Sequence, residues 1–185
     1  MSDTQVVCDC LQGKGEQFSI LYDKYIQKVY GFVFHKVLHK ELAEDITSDI
    51  FLKVLEKLHT FDSAKASFPT WIFRIARNVV IDHFRTFRQE IDIDDIWDIA
   101  SAEDIQADAD ARQTYDVLRN HLQKLTACQR EILMMHFWQG MSYKEIAEIF
   151  GKTEASIKMD ASRGIAKLRK EFFLFLLLPF LSFIL

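Results

Sequence analysis

Helical periodicity with very few helix breakers is the feature that most limits how this chain can fold. Its 185 residues include only six glycines and two prolines, and 49% of the residues are hydrophobic. The apolar side chains recur every three to four positions, which is typical of amphipathic helices rather than strands. We therefore predict an all-α protein.

The pattern predicts helices in both halves of the chain. In the first half, Pro69 lies at the first position of a helix, where proline is favoured. The apolar positions expected to face the core there include Tyr22 and Leu55. The predicted helices are at about residues 16–38, 41–59, 69–88, 110–124, 127–138, 142–150 and 153–172, with a loop at 61–68.

Charge divides the chain into parts. Residues 89–111 contain nine acidic residues and no Lys or Arg, so the net charge of −4 hides a mildly basic segment on either side. A net negative charge argues against nucleic acid as a partner, but this distribution weakens that objection. We predict two helical domains, at 1–88 and 112–171, joined by an acidic linker at 89–111 and followed by an apolar tail at 172–185.

Several function classes have little support. The cysteines are Cys8, Cys10 and Cys128, and an odd number without a secretory signal predicts reduced thiols in a cytoplasmic protein. Cys8-x-Cys10 lacks a second pair of metal ligands. The sequence contains no recognisable nucleophile–base pair, phosphate-binding loop or metal cluster. We expect no enzymatic activity, no metal and no cofactor.

The third predicted helix carries a row of arginines. Arg74, Arg77, Arg85 and Arg88 fall within about 80° of one another around the helix axis, and apolar residues occupy the other side. Guanidinium groups in such a row can bind successive phosphates of a nucleic-acid strand.

Aromatic residues lie close to this row. Phe61, Phe68 and Trp71 could stack on unpaired bases, which would suit binding to separated DNA strands. Composition alone leaves an alternative open, in which the aromatic side chains are core residues and the arginines form a solvated face.

A helix-turn-helix pattern lies near the C-terminus. Ser142 and Glu145 form a capping-box pair, Gly151 can end the helix in a left-handed conformation, and Thr153 can cap the next helix. This arrangement is typical of a major-groove reader, although an ordinary helical hairpin remains the alternative. On the second helix the inward positions are Ile157, Ala161, Ile165 and Leu168, and the outward positions are Ser156, Met159, Asp160, Arg163, Lys167 and Lys170.

Together these motifs resemble the sigma-70 family, specifically its small extracytoplasmic-function (ECF) members. Residues 43–54 (AEDITSDIFLKV) resemble the region 2 segment that docks on the clamp helices of the RNA polymerase β′ subunit. Residues 68–78 (FPTWIFRIARN) resemble the melting helix of the same region, and residues 125–168 resemble region 4, which reads the −35 element.

The resemblance implies a factor that binds core RNA polymerase through the β′ clamp helices and β flap, directs it to promoter DNA and assists strand opening. It also implies an anti-sigma factor as a partner. The implied polymerase-binding residues are Asp45, Ser48 and Asp49. The implied −10 DNA-binding residues are Ser63, Ala64, Lys65, Phe68, Trp71, Arg74, Arg77, Asn78 and Arg85. The implied −35 DNA-binding residues are Lys152, Ser156, Lys158, Met159, Asp160, Arg163 and Lys167.

Two departures from the family pattern leave alternatives open. Met159 and Asp160 replace a small polar and a basic residue, so either an unusual −35 sequence is read or the domain binds DNA weakly. The apolar tail, residues 172–185, would span about 21 Å as a helix, short of a bilayer core of roughly 30 Å. It could contact a membrane surface, fold back onto the protein or a partner, or have no role. The competing functions are a helix-turn-helix regulator and a membrane-linked signalling adaptor without sigma activity.

Overall fold

The computed structural model describes residues 1–37, 39–87 and 124–181, with side chains described up to Arg85 in the second range and up to Lys170 in the third. Within these ranges there are seven α-helices, two short 3-10 helices and no strand. The prediction of an all-α fold is confirmed. The predicted linker at 89–111 and nearly all of the predicted helix at 110–124 lie outside the described residues.

The N-terminal unit is a bundle of four helices. Helices α2, α3 and α4 begin and end within about two residues of the predicted positions. Their shared core includes the edge-to-face pair Phe32 and Phe73, whose ring centroids are 5.5 Å apart. The bounds are α1 Asp3–Leu11, α2 Phe18–Val37, α3 Lys40–Lys57 and α4 Phe68–Phe87, with 3-10 turns at Gly15–Gln17 and Leu58–Thr60.

Helix α1 was not predicted from the sequence. Ser2 caps it by accepting a hydrogen bond from the Gln5 N–H at 3.2 Å. Val6 and Val7 are buried against the bundle, and Asp3 accepts a hydrogen bond from the Tyr25 hydroxyl at 2.6 Å. Nine residues with two buried valines are too short to produce a clear periodic signal, so packing rather than pattern defines this helix.

Two predicted core positions are wrong. Tyr22 is 42% exposed and Leu55 is 46% exposed. Both belong to the apolar stripes of their helices, but each stripe is wider than the arc that the neighbouring helices cover. Helical periodicity identifies the side of a helix that faces the core, but not how much of that side is buried.

The C-terminal unit contains α5 Ala127–Phe137, α6 Tyr143–Phe150 and α7 Glu154–Leu181. Helix α5 begins with a capping box in which Thr126 and Gln129 exchange hydrogen bonds at 3.2 Å. Helix α7 continues past the predicted end at 172 and includes Pro179. None of the helices in the described ranges is long and apolar enough to span a bilayer.

Helices α5 and α7 approach each other closely at a glycine. A Cβ atom placed on Gly164 would lie 3.1 Å from Cδ1 of Leu133 and 3.4 Å from Cβ of Gln129. The first distance is tighter than most Cβ contacts, so a side chain at this position would require the Leu133 side chain to shift by a few tenths of an ångström. The same packing surface contains the fully buried Ile132 and Ile157.

Candidate polymerase and nucleic-acid interfaces

Three predicted polymerase-binding residues lie together on α3. Asp45, Ser48 and Asp49 are exposed and share one face because they are separated by three and four positions. The Ser48 hydroxyl donates a hydrogen bond to the Glu44 carbonyl at 2.9 Å, so its oxygen is held close to the helix backbone. The two carboxylates therefore dominate this face, which suits a basic partner.

An apolar residue on this face was missed. Leu52 is 59% exposed and lies one turn beyond Ser48 and Asp49. A large apolar side chain beside two carboxylates provides area that a partner can bury, while the charges select the partner. Its spacing from the acidic residues could have identified it from the sequence.

The loop before α4 is organised by Asp62. Its carboxylate accepts a hydrogen bond from the Ala64 N–H at 3.0 Å and pairs with the Lys65 ammonium at 3.0 Å. The Lys65 ammonium and the Ala64 N–H together hold the pKa of Asp62 below its usual value. Ser63, Ala64 and Lys65 are consequently displayed on the outside of a defined turn.

The aromatic residues near this loop form a cluster. The Phe61 ring centroid lies 5.7 Å from that of Trp71 and 5.5 Å from that of Phe68. Phe61 and Trp71 are half-buried, whereas Phe68 is only 2% exposed and packs on Tyr25. The predicted direct contact of Phe68 with DNA is therefore corrected: its ring supports the cluster from the core side, because no face of it is open to a base.

Two arginines of the row on α4 contact the C-terminal unit. Arg74 donates a hydrogen bond to the backbone carbonyl of Glu148 at 2.9 Å. Nε of Arg77 lies 3.2 Å from Oε1 of Glu131, and its guanidinium lies 4.4 Å from the centre of the Phe150 ring. The sequence did not predict these contacts.

The members of the row differ in exposure. Arg74, Asn78 and Arg85 are exposed, Arg77 is half-buried, and Arg88 lies outside the described residues. The arginine row on α4 is therefore partly covered and partly open.

The helix-turn-helix has the local geometry that its sequence predicts. Ser142 and Glu145 exchange hydrogen bonds in a capping box at the start of α6. Gly151 ends α6 with a φ of +64°, in the left-handed region that favours glycine. Thr153 accepts a hydrogen bond from the Ser156 N–H at 3.2 Å at the start of α7.

The outer surface of α7 is open and mainly basic. Ile157 and Ala161 are buried, and Ile165 and Leu168 are half-buried, as the inward pattern predicts. Ser156 is half-buried. The exposed predicted −35 residues are Lys152, Lys158, Met159, Arg163 and Lys167.

Asp160 is already paired within the protein. Its carboxylate lies 3.6 Å from the Lys152 ammonium and 3.9 Å from the Cys128 thiol. Lys152 also lies 3.4 Å from that sulfur. Burial raises the pKa of the Cys128 thiol, although Lys152 opposes this. An aspartate held by a lysine repels phosphates less than an isolated one, so its cost to DNA binding is smaller than the sequence suggests.

Comparisons with known proteins identify the family to which the chain is similar. The family model for Sigma-70 region 2 matches residues 21–90, and that for Sigma-70, region 4 matches residues 115–168. The chain is 36% identical over 162 residues to the ECF RNA polymerase sigma factor SigX of Bacillus subtilis, covering 84% of this chain and 83% of SigX. It is 32% identical over 154 residues to the ECF RNA polymerase sigma factor RpoE of Cereibacter sphaeroides, covering 83% of this chain and 84% of that protein.

The fold is also similar to solved structures. CnrH, in complex with the cytosolic domain of CnrY, aligns with a TM-score of 0.70 at 21% identity, covering 92% of this chain and 96% of CnrH. The sigma factor RpoE from Bartonella quintana, in complex with the anti-sigma factor NepR, aligns with a TM-score of 0.64 at 21% identity, covering 84% of this chain and 96% of that chain.

Proposed function

The chain belongs to the ECF subfamily of sigma-70 sigma factors, which act in promoter-directed transcription initiation, and we propose how its surfaces divide that work. The observation that carries the proposal is that models for region 2 and region 4 match in order along one short chain. The first unit binds core RNA polymerase and the −10 element, and the second reads the −35 element. Nucleotidyl transfer belongs to the polymerase.

The acidic face of α3 is the proposed polymerase contact. Asp45 and Asp49 face a basic surface on the β′ clamp helices, Ser48 lies between them, and Leu52 adds apolar area to be buried. The contact with the β flap is assigned to the C-terminal unit by resemblance to the family.

Strand opening is assigned to the loop at 61–67 and to α4. An unstacked base would meet the half-buried rings of Phe61 and Trp71, beside the displayed residues Ser63, Ala64 and Lys65. Arg74, Arg77, Asn78 and Arg85 would hold the displaced strand. Stacking on aromatic rings and contacts with arginine offset the few kcal/mol needed to unstack a base.

The outer face of α7 is the proposed −35 reader. Ser156, Met159 and Arg163 would contact base edges in the major groove, and Lys152, Lys158 and Lys167, which are exposed, would bind phosphates. Asp160 acts mainly through Lys152, with which it pairs.

We further propose a cytoplasmic protein that is regulated by an anti-sigma factor. Both solved structures are complexes, of CnrH with the cytosolic domain of CnrY and of RpoE with the anti-sigma factor NepR. A regulator without sigma activity is not favoured, because it leaves the acidic face of α3 unexplained. The hypothesis of a membrane-linked adaptor is supported only by Asp160 and the apolar tail. The first of these supports is weak, because Asp160 is paired with Lys152 within the protein.

The proposed function is tested by transcription in vitro with purified core polymerase. We expect promoter-specific initiation from the full chain and from a form that ends at Glu171. Asp49→Arg should abolish core binding, because it places a cation against a basic partner, with a loss of about 100-fold or more in affinity. Binding is measured by fluorescence anisotropy with labelled chain.

Glu16→Arg is the matched control, since it makes the same charge change at an exposed residue outside the α3 face. It should bind core polymerase within about twofold of the unmodified chain. Failure of both the full and the shortened form to initiate at any promoter would reject the proposal.

A further inference from the structure

The rings proposed to meet an unstacked base are supported from the core by a second layer of rings. Phe68 lies beneath them, with its ring centroid 5.5 Å from that of Phe61 and 5.6 Å from that of Trp71. Tyr25 on α2 lies beneath Phe68, at a centroid distance of 5.4 Å. Phe68 and Tyr25 are each 2% exposed, so the position of the two outer rings depends on that of the two inner rings.

The Tyr25 ring is in turn held by the first turn of α1. Its hydroxyl donates a hydrogen bond to Oδ2 of Asp3 at 2.6 Å, and the Lys24 ammonium pairs with Oδ1 of the same carboxylate. Burial, together with the hydrogen bond to Asp3, raises the pKa of Tyr25, so its hydroxyl stays protonated and remains a donor at physiological pH. A carboxylate on a separate helix therefore fixes the inner end of the aromatic cluster.

Helix α1 also contacts the other end of the loop. It packs against the 3-10 turn Leu58–Thr60, which directly precedes Phe61. The Phe61 N–H donates a hydrogen bond to the Leu58 carbonyl of this turn at 3.1 Å. Two valines of α1 are buried against the bundle and attach the helix there. One short helix thus contacts the segment before the loop and, through Tyr25, the residue that follows it.

We propose that Asp3 is a positioning residue for strand opening, which acts through Tyr25 and Phe68 on the rings that receive the base. The inference rests on the proposed function, in which Phe61 and Trp71 stack on an unpaired base. Stacking requires these rings to present an open face at a fixed angle, and rings whose support moves lose this preorganisation. Asp3 itself would not touch DNA.

The hydrogen bond matters because the Tyr25 hydroxyl belongs to a buried side chain. A buried hydroxyl that loses its acceptor must either remain unpaired, at a cost, or move toward water. Movement of the Tyr25 ring would remove the support beneath Phe68, and the outer rings would repack. Replacement of Asp3 by a residue that cannot accept should therefore displace Trp71, although Trp71 lies on a different helix.

The first test measures the environment of Trp71 in the absence of DNA and polymerase. The full chain is labelled with 5-fluorotryptophan, and the fluorine NMR resonance of Trp71 is assigned by its loss in Trp71→Phe. Asp3→Ala should shift or broaden this resonance, because the inner ring loses its acceptor. Asp3→Asn keeps an amide oxygen that can accept from Tyr25, and it should leave the resonance close to that of the unmodified chain.

The second test measures opening in complexes with core polymerase. At equal promoter occupancy, Asp3→Ala should lower permanganate reactivity around −10 by about fivefold, and Asp3→Asn by less than about twofold. Tyr25→Phe keeps the ring and removes the hydroxyl that needs an acceptor. Addition of Asp3→Ala to Tyr25→Phe should therefore cause less than about twofold further loss. This non-additivity is not expected if Asp3 merely stabilises α1.

Asp9→Ala is the matched control on the same helix. It removes the same charge, but the Asp9 carboxylate pairs with Lys14 at 3.3 Å and not with Tyr25. It should leave the Trp71 resonance in place and change permanganate reactivity by less than about twofold. If Asp3→Ala loses its helical circular dichroism, Asp3→Ser provides a second test. Its hydroxyl is too short to reach Tyr25, so it should displace the resonance in the same direction.

The outcomes separate the inference from the function on which it rests. An unchanged Trp71 resonance in Asp3→Ala would overturn the inference and leave the proposed function, tested with core polymerase, intact. A displaced Trp71 with unaltered permanganate reactivity would overturn the role of Asp3 in opening and count against stacking of a base on Trp71. An equal effect of Asp3→Asn or Asp9→Ala would assign the result to charge and overturn the role of the hydrogen bond.

Discussion

The two predicted DNA-binding surfaces of this protein are presented very differently. On α7, the basic side chains of Arg163 and Lys167 are exposed. On α4, Arg74 and Arg77 contact the backbone of α6 and the buried carboxylate of Glu131. The difference shows that the predicted −35 surface is exposed in this structure, whereas part of the predicted −10 surface is in contact with the C-terminal unit.

The strongest test of this contrast compares one arginine from each surface in complexes with core polymerase. Arg77→Ala should lower permanganate reactivity around −10 by about tenfold or more, with promoter occupancy nearly unchanged. Arg163→Ala should lower promoter occupancy by about tenfold, because a contact with a base or a phosphate is lost. The fraction of bound complexes that open should remain the same in this variant.

The contrast would be broken if both substitutions impaired the same step. Permanganate reactivity unaffected by Arg77→Ala would remove α4 from strand opening. Core binding serves as the control, since neither arginine lies on the acidic face of α3.

Substitution of Lys167 should have a smaller effect, on the salt dependence of duplex binding. If it contacts a phosphate from the open surface, Lys167→Gln should reduce the salt dependence of duplex binding by about one unit of the log–log slope. The measurement is a salt titration of the free chain on promoter duplex, monitored by anisotropy. An unchanged slope would show that Lys167 does not contact a phosphate. Lys65→Gln, on the N-terminal unit, is the control and should leave the slope for this duplex nearly unaltered.

The smallest expected effect concerns Asp160. Asp160→Asn removes the carboxylate that pairs with Lys152, so Lys152 becomes available to a phosphate, and duplex affinity should rise about twofold to fivefold. The same titration checks this, and the double variant Asp160→Asn with Lys152→Gln should lose the gain. A fall in affinity for Asp160→Asn would instead indicate that the carboxylate accepts a hydrogen bond from a base.

Local features of this fold could be predicted from the sequence, and distant contacts could not. Ser142, Glu145 and Gly151 define the start and end of α6 through bonds within a few residues, and all three have the predicted geometry. The buried role of Glu131 depends on Lys36 and Arg77, which lie far away in the sequence, and nothing in its neighbourhood signals them. A glutamate in a helix is ordinarily a solvated residue.

The candidate site shows the same division. The exposure of Asp45, Ser48 and Asp49 follows from helical spacing. The burial of Phe68 depends on how Tyr25 and Phe61 pack around it, and an aromatic residue in a loop does not reveal which of its faces will be covered. The sequence predicts that Asp160 faces phosphates. It does not reveal the ion pair with Lys152, because Lys152 lies across the turn of the helix-turn-helix.

Helix α7 packs against α5 at Gly164 on one side, and its predicted DNA-reading residues lie on the other side. The residues that fix the orientation of α7 are Ile157, Ala161 and Gly164, whereas the predicted base contacts, Met159 and Arg163, lie on the opposite side. If this surface reads the −35 element as proposed, exchange of the outer residues alone should change promoter preference and leave the fold intact.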